Sequence, residues 1–446
     1  MYTLTTAADL LRDRRLSSAE LTQSCLANIE RLNPMLNAFI TVTPELALQQ
    51  AKQADEEMAA GKSRGPLHGI PIALKDMIDI AGVFTTAASR QLQSYVATED
   101  ARIVTRLKHA GAVLVGKTNL HEFAFGGSGM VSAYGPARNP WDLERITGGS
   151  SSGAAAAVAA GMCVAAIGTD TAGSIRTPAA LCGIVGHRPS AGVSSNHGII
   201  PLRKSFDTAG PLTRTVKDAW LLLQTLDEGL ASAEIDVSRL RVGFARDGFY
   251  DGLDAEVAFS LKHAEDVLRS LVHSVRDVTV KVAPLWSTFD GEILEYHRTL
   301  LDASPELYQP GTLSRLRACA TPTPKQFEDA KSALMEQRLS AEEVFRDVDV
   351  VVTPTCVVPA PAVSELQAMS AADLRAYEMK YLLRNTAPFS LLFWPSVSVP
   401  CGFTAQGLPI GMQISAAPGC DHVALQVAQA YEQATTWHKR IPPLVL

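Results

Sequence analysis

The sequence predicts an α/β protein, and three observations carry that reading. Short apolar runs with strand character alternate with amphipathic stretches of helical period along the whole chain. Apolar residues make up 47% of the 446 positions and charged residues 19%, a balance suited to a substantial core. No Pro-, Gly- or Ser-rich hinge divides the chain, so a single domain over 1–446 is expected, although the length also admits two or three average domains.

The elements follow in order. Ser17 and Glu20 have capping-box spacing, and Leu21, Leu26, Ile29 and Leu32 recur on one face, which predicts a helix from about Ser18. "LNAFITV" reads as a strand and "PELALQQAKQADEEMAAG" as a helix stopped at Gly61. "GIPIALKDMIDI" suits a buried strand, apart from its lysine. "ARIVTRLKHAGAVLVGKT" reads as helix, turn and strand. "RLRVGFA", "DVDVVVTP", "PSVSVP" and "PIGMQIS" are further strands, and "DAEVAFSLKHAEDVLRSL" and "DHVALQVAQAYEQATTW" are helices. Residues 285–345 are more helical and are expected to form a cap or insertion over the core.

Composition excludes several function classes. The formal net charge of −6 is spread along the chain, without the basic block that nucleic acid demands or the acidic tail of a disordered arm. No run approaches the roughly 20 apolar residues a bilayer requires, so no membrane partner is expected and a cytoplasmic location is the default. The seven cysteines stand singly with no CxxC pair, which fits buried thiols. "HEFAF" at His121 lacks a second histidine at zinc spacing. Neither a metal nor a cofactor is expected.

"ITGGSSSGAAAAVAAG", residues 146–161, admits three readings. A linker has this composition, but the stretch opens directly onto a strong alanine helix. A phosphate-binding P-loop needs a lysine after its last glycine, and alanine stands there. Gly149 to Gly153 formally matches GxSxG with Ser151 as nucleophile, but that elbow must follow a buried strand, and "RNPWDLERIT" is charged and contains proline.

A second serine, Ser174, follows the apolar run "CVAAIG" and the small residues Ala172 and Gly173. Small residues allow close backbone approach and can turn N–H groups toward a developing oxyanion; an ordinary strand-to-helix turn has the same composition. A serine nucleophile needs a base. Ser-x-x-Lys chemistry is excluded, because no lysine has a serine three positions earlier. Lys75, however, sits inside the apolar run at 69–80, where desolvation would favour the neutral amine and make a base that works near pH 7. A lysine at a strand end is more often a snorkelling surface residue.

Taken together, "IALKD", "GGSSSG" and "GTDTAGSIRTPAALCGIVG" resemble the amidase signature family in order and spacing. Lys75 to Ser150 is 75 residues and Ser150 to Ser174 is 24. The match is strongest over about 60–215 and extends more weakly to both ends. The resemblance implies a mixed central sheet covered by helices on both faces. It implies a Ser-Ser-Lys triad in which Ser174 is the nucleophile, Ser150 the bridge following a cis peptide bond, and Lys75 the base. Backbone N–H groups from Thr171, Ala172, Gly173 and Ser174 would hold the oxyanion. Ser151 would be a supporting hydrogen-bonder, Ser152 a helix cap, and Asp170 a brace for the loop. Arg176 would pair internally or meet a substrate carboxylate, with the structural role preferred. The segment at 120–135 would line the acyl pocket, with Ala124 offering backbone to the substrate and Phe123, Phe125 and Met130 hinting at apolar walls.

Two departures stand out. Ala172 replaces the first of the two usual glycines, and "GHRPS" at 186–190 replaces the family's "GLKPT". The leading expectation is a stand-alone hydrolase of a small or aryl amide, extending to carbamates (a urethanase activity) and esters. The alternative is the glutaminase-type component of a tRNA-dependent amidotransferase complex. Such relatives are usually longer and carry a different loop after "EFA", which favours the first reading. A non-enzymatic scaffold ranks last. The oligomeric state stays open, a homodimer being one option.

Overall fold

A computed structural model describes residues 1–227 and 234–445. Its centre is an 11-stranded mixed sheet with helices on both sides. In chain order the strands are β1 (Phe39–Val42), β2 (Pro71–Lys75), β3 (Val113–Thr118), β4 (Arg138–Asn139), β5 (Asp142–Ile146), β6 (Ala165–Asp170), β7 (Val185–Arg188), β8 (Thr208–Thr213), β9 (Arg241–Ala245), β10 (Ser274–Val278), β11 (Val350–Pro354), β12 (Ser396–Phe403) and β13 (Pro409–Ala416). The large sheet runs β1-β3-β2-β6-β8-β7-β12-β13-β11-β9-β10, and β4 and β5 form a separate two-stranded ribbon. β2 is parallel to both β3 and β6, and β6 is antiparallel to β8.

The predicted elements form where their patterns place them. Ser17 and Glu20 make a full capping box at the head of the helix Ser18–Leu36. The lysine-bearing run becomes β2, with all five residues buried. Ile72 and Leu74 are fully buried there, each worth about 1.5–3 kcal/mol, which holds the strand against its neighbours and the lysine with it. "RNPWDLERIT" carries the β4–β5 ribbon, which lies outside the main sheet, so the hydrolase elbow still lacks its strand.

Within 285–345 the helices Asp290–Ala303, Pro310–Arg317 and Pro324–Glu342 follow one another with no strand between. Ile293, Tyr308 and Leu316 from this segment pack with Phe123, Ala124 and Phe125, so it covers the 120–135 loop.

Parallel pairing sets the carboxyl ends of β2 and β6 side by side, where open α/β sheets present functional groups. Lys75 ends one strand, and Thr169 and Asp170 end the other. Beside them lies the helix Ser152–Ala159, every residue buried. Its small side chains let the helix, and the serine loop at its head, sit close against the sheet. Gly168 completes the fit, since a Cβ there would lie 2.7 Å from Ser151 Oγ.

Candidate active site

Lys75 is completely buried, and its amine donates to Ser150 Oγ at 2.7 Å and to Thr169 Oγ1 at 2.8 Å. Burial is the main influence on this amine and brings its pKa down to about 7, against the pull of the Asp207 and Asp170 carboxylates. Near pH 7 a large share of the amine is therefore neutral, within hydrogen-bond distance of the Ser150 hydroxyl. Thr169, the second anchor, went unremarked in the sequence because a threonine ending a strand carries no distinctive pattern.

Three loops converge on this pair. Ser150 follows a cis peptide bond from Gly149. Its carbonyl accepts from the His121 N–H at 3.1 Å, and the Gly149 N–H donates to Gly127 at 2.7 Å, which ties the serine loop to the 120–135 segment. The Ser151 N–H donates to the Ser174 carbonyl at 3.1 Å, which ties it to the third loop. Ser151 Oγ also donates to the Thr169 carbonyl at 3.2 Å. Ser174 is 5% exposed and faces a cavity of about 140 Å³. Its hydroxyl makes no side-chain hydrogen bond among the described residues, an open arrangement common where catalytic contacts tighten only with substrate.

The Ser174 loop is braced by Asp170, whose carboxylate meets Arg176 in a bidentate pair at 2.9 and 3.0 Å and accepts from Arg188 at 3.3 Å. Burial resists ionisation of this carboxyl, but the two guanidinium groups outweigh it and hold its pKa well below the usual range. Arg176 spends its remaining donors on Thr386, Gln413 and Ser390. With no donor left and no exposure, it does not reach a substrate.

Two expected details change. The Gly173 N–H donates to Asp170 at 2.9 Å, whereas the N–H groups of Thr171, Ala172 and Ser174 have no acceptor among the described residues. Ser152 does not cap the alanine helix: Ser151 holds the cap position, and Ser152 Oγ donates weakly to Asn119 at 3.4 Å. Gly173 itself is obligatory, with φ of +138° and a would-be Cβ 2.0 Å from Thr386 Oγ1. Ala172, one residue earlier, is accommodated, its carbonyl accepting from Thr386 at 2.7 Å.

Of the predicted pocket residues, Ala124 and Phe125 line the cavity with Ser174, while Phe123 is core and Met130 packs elsewhere. Phe123 and Ala124 both hold left-handed backbone, at φ of 51° and 58°, strain of the kind that gathers at functional sites. The charged lining escaped the sequence reading altogether. Arg203, Arg315, Arg375 and Glu378 reach the cavity from distant segments. His121 is buried behind it, with its pKa lowered to about 3, mainly by desolvation. Among the described residues no group of three or more His, Cys, Asp or Glu side chains could hold a metal ion, and no helix is long and apolar enough to cross a membrane.

Comparison with known proteins gives a family and a fold. A family model described as Amidase matches residues 20–294 and 311–425. The chain is 39% identical to the A subunit of the glutamyl-tRNA(Gln) amidotransferase of Methylococcus capsulatus, over 99% of this chain and 98% of that one. Among solved structures it is similar to an amidase, with a TM-score of 0.89, 32% identity and coverage of 97% and 99%. It is also similar to 6-aminohexanoate cyclic dimer hydrolase complexed with substrate, again with a TM-score of 0.89, at 28% identity and 100% and 99% coverage.

Proposed function

From the premise that the chain belongs to the amidase family, enzymes of the amide C–N bond, we propose that it cleaves an amide through an acyl-enzyme on Ser174. The observation that carries this reading is the buried contact between Lys75 and Ser150. Neutral Lys75 takes the Ser150 proton as Ser150 takes the Ser174 proton, and Ser174 Oγ attacks the carbonyl carbon. The N–H groups of Thr171, Ala172 and Ser174 are the donors left to stabilise the oxyanion in this reading. The proton returns through Ser150 to the leaving nitrogen, the C–N bond breaks, and water then hydrolyses the ester.

For the amide itself, glutamine is the better-supported choice over the small or aryl amide expected from the sequence. The similarity to the glutamyl-tRNA(Gln) amidotransferase component spans nearly the full length of both chains, although the match runs over 488 positions against the 446 residues of this chain, so that relative carries insertions this chain lacks. In this reading the protein converts glutamine to glutamate and passes ammonia to a partner protein, so a hetero-complex replaces a homodimer as the expected assembly. A stand-alone hydrolase is the second reading, favoured by the likeness to 6-aminohexanoate cyclic dimer hydrolase. Purified chain assayed for ammonia release separates them. Glutamine turnover that increases with partner proteins supports the first, and turnover of simple amides with none of glutamine supports the second.

A further inference from the structure

The cavity beside Ser174 carries an unbalanced charge. Arg203 and Arg315 are both neutralised: Arg203 pairs with Asp290 at 2.6 Å, and Arg315 pairs with Glu378 at 2.8 Å while donating to the Phe125 carbonyl. Glu378 is the one carboxylate among the described lining residues, and both its oxygens are engaged. Oε1 accepts from the Ser128 N–H at 3.1 Å and the Ser128 hydroxyl at 2.5 Å, while Oε2 faces Arg315. Arg375 is different. It lines the cavity with its guanidinium 5.9 Å from the Phe125 ring, and it forms no ion pair among the described residues.

We propose that Arg375 is a specificity residue that receives a carboxylate on the acyl part of the substrate, and that the pocket has no counterpart for an ammonium group. The substrate class is therefore the monoamide of a short dicarboxylic acid, in which glutamine is tolerated as a member carrying an extra charge. A guanidinium fits this task because its planar fork matches a carboxylate in two hydrogen bonds. Partial exclusion of water by the cavity walls strengthens that pairing relative to bulk solvent. This inference rests on Ser174 as the acylated residue, since it is the Ser174 cavity that Arg375 lines.

Three probes test it: glutaramate, glutamine, and butyramide, which lacks both charges. The wild-type protein should use glutaramate at least as well as glutamine and far better than butyramide. Arg375→Ala should raise KM for glutaramate about 10- to 100-fold and leave butyramide kinetics within about twofold, with Arg375→Lys recovering part of the loss. In a Ser174→Ala background, which removes turnover, calorimetric binding of glutaramate should weaken to the same extent on Arg375→Ala. An equal loss for butyramide, no loss at all, or a roughly tenfold preference for glutamine over glutaramate would overturn the proposal. If the acyl-enzyme reading alone is wrong, Ser174→Ala keeps its turnover while the binding arm still reports on Arg375.

Discussion

The amine of Lys75 stands 2.7 Å from the hydroxyl of Ser150, and neither side chain has any exposed surface. A cation in that position would be costly, because among the described residues no carboxylate is bonded to it; its partners are two hydroxyls. The neutral form is the one that suits the site.

That preference has a thermodynamic signature. The folded pKa of Lys75 lies at about 7 against an ordinary 10.5, so the unfolded chain binds more protons between those values and stability rises with pH across that window. Replacing the amine with a neutral side chain removes this dependence. Lys75→Met should melt above wild type at about pH 7, with the gap closing as the pH approaches the ordinary lysine value. A constant gap measured by calorimetry across that range would show that the folded amine is charged.

Thr169 holds the same amine from the other side at 2.8 Å. Thr169→Val keeps the shape of the side chain but withdraws one acceptor, worth about 0.5–1.5 kcal/mol. Turnover should fall roughly 2- to 10-fold, and the acidic limb of the pH–rate profile should move, because the remaining contacts of the amine change. An unaltered profile with normal turnover would mean Thr169 only packs.

The brace beneath the Ser174 loop is a buried charge cluster, and removing one member strands the others. Arg176→Ala should destabilise the protein by about 3–5 kcal/mol in denaturant unfolding, because Asp170 loses its bidentate partner in a fully buried setting. Arg176→Lys should restore little, having neither the fork nor the reach to Thr386, Gln413 and Ser390. Near-wild-type stability for either variant would contradict the structural role.

Much of this was legible in the sequence, for a physical reason. Strand β2 announces itself by unbroken apolar character, and a lysine inside it can remain only if something receives it. The small residues around Ser150 and Ser174 are required by contacts so close that larger side chains would collide. What escaped was whatever depends on long-range meeting. Arg375 lies 201 positions after Ser174 in a polar helix whose composition looks like any solvated surface. Glu378 reads as another surface charge until Arg315 and Ser128 surround it. The engagement of the Gly173 N–H by Asp170 was invisible too, since a glycine in a loop does not declare where its N–H points.

The most direct measurement is the rate at which a fluorophosphonate labels Ser174 as a function of pH, followed by mass spectrometry. A neutral Lys75 acting through Ser150 predicts labelling that climbs through about pH 7 in the wild-type protein and is slow, with no inflection there, in Lys75→Ala. The same inflection in both proteins, or a label on a residue other than Ser174, would contradict it.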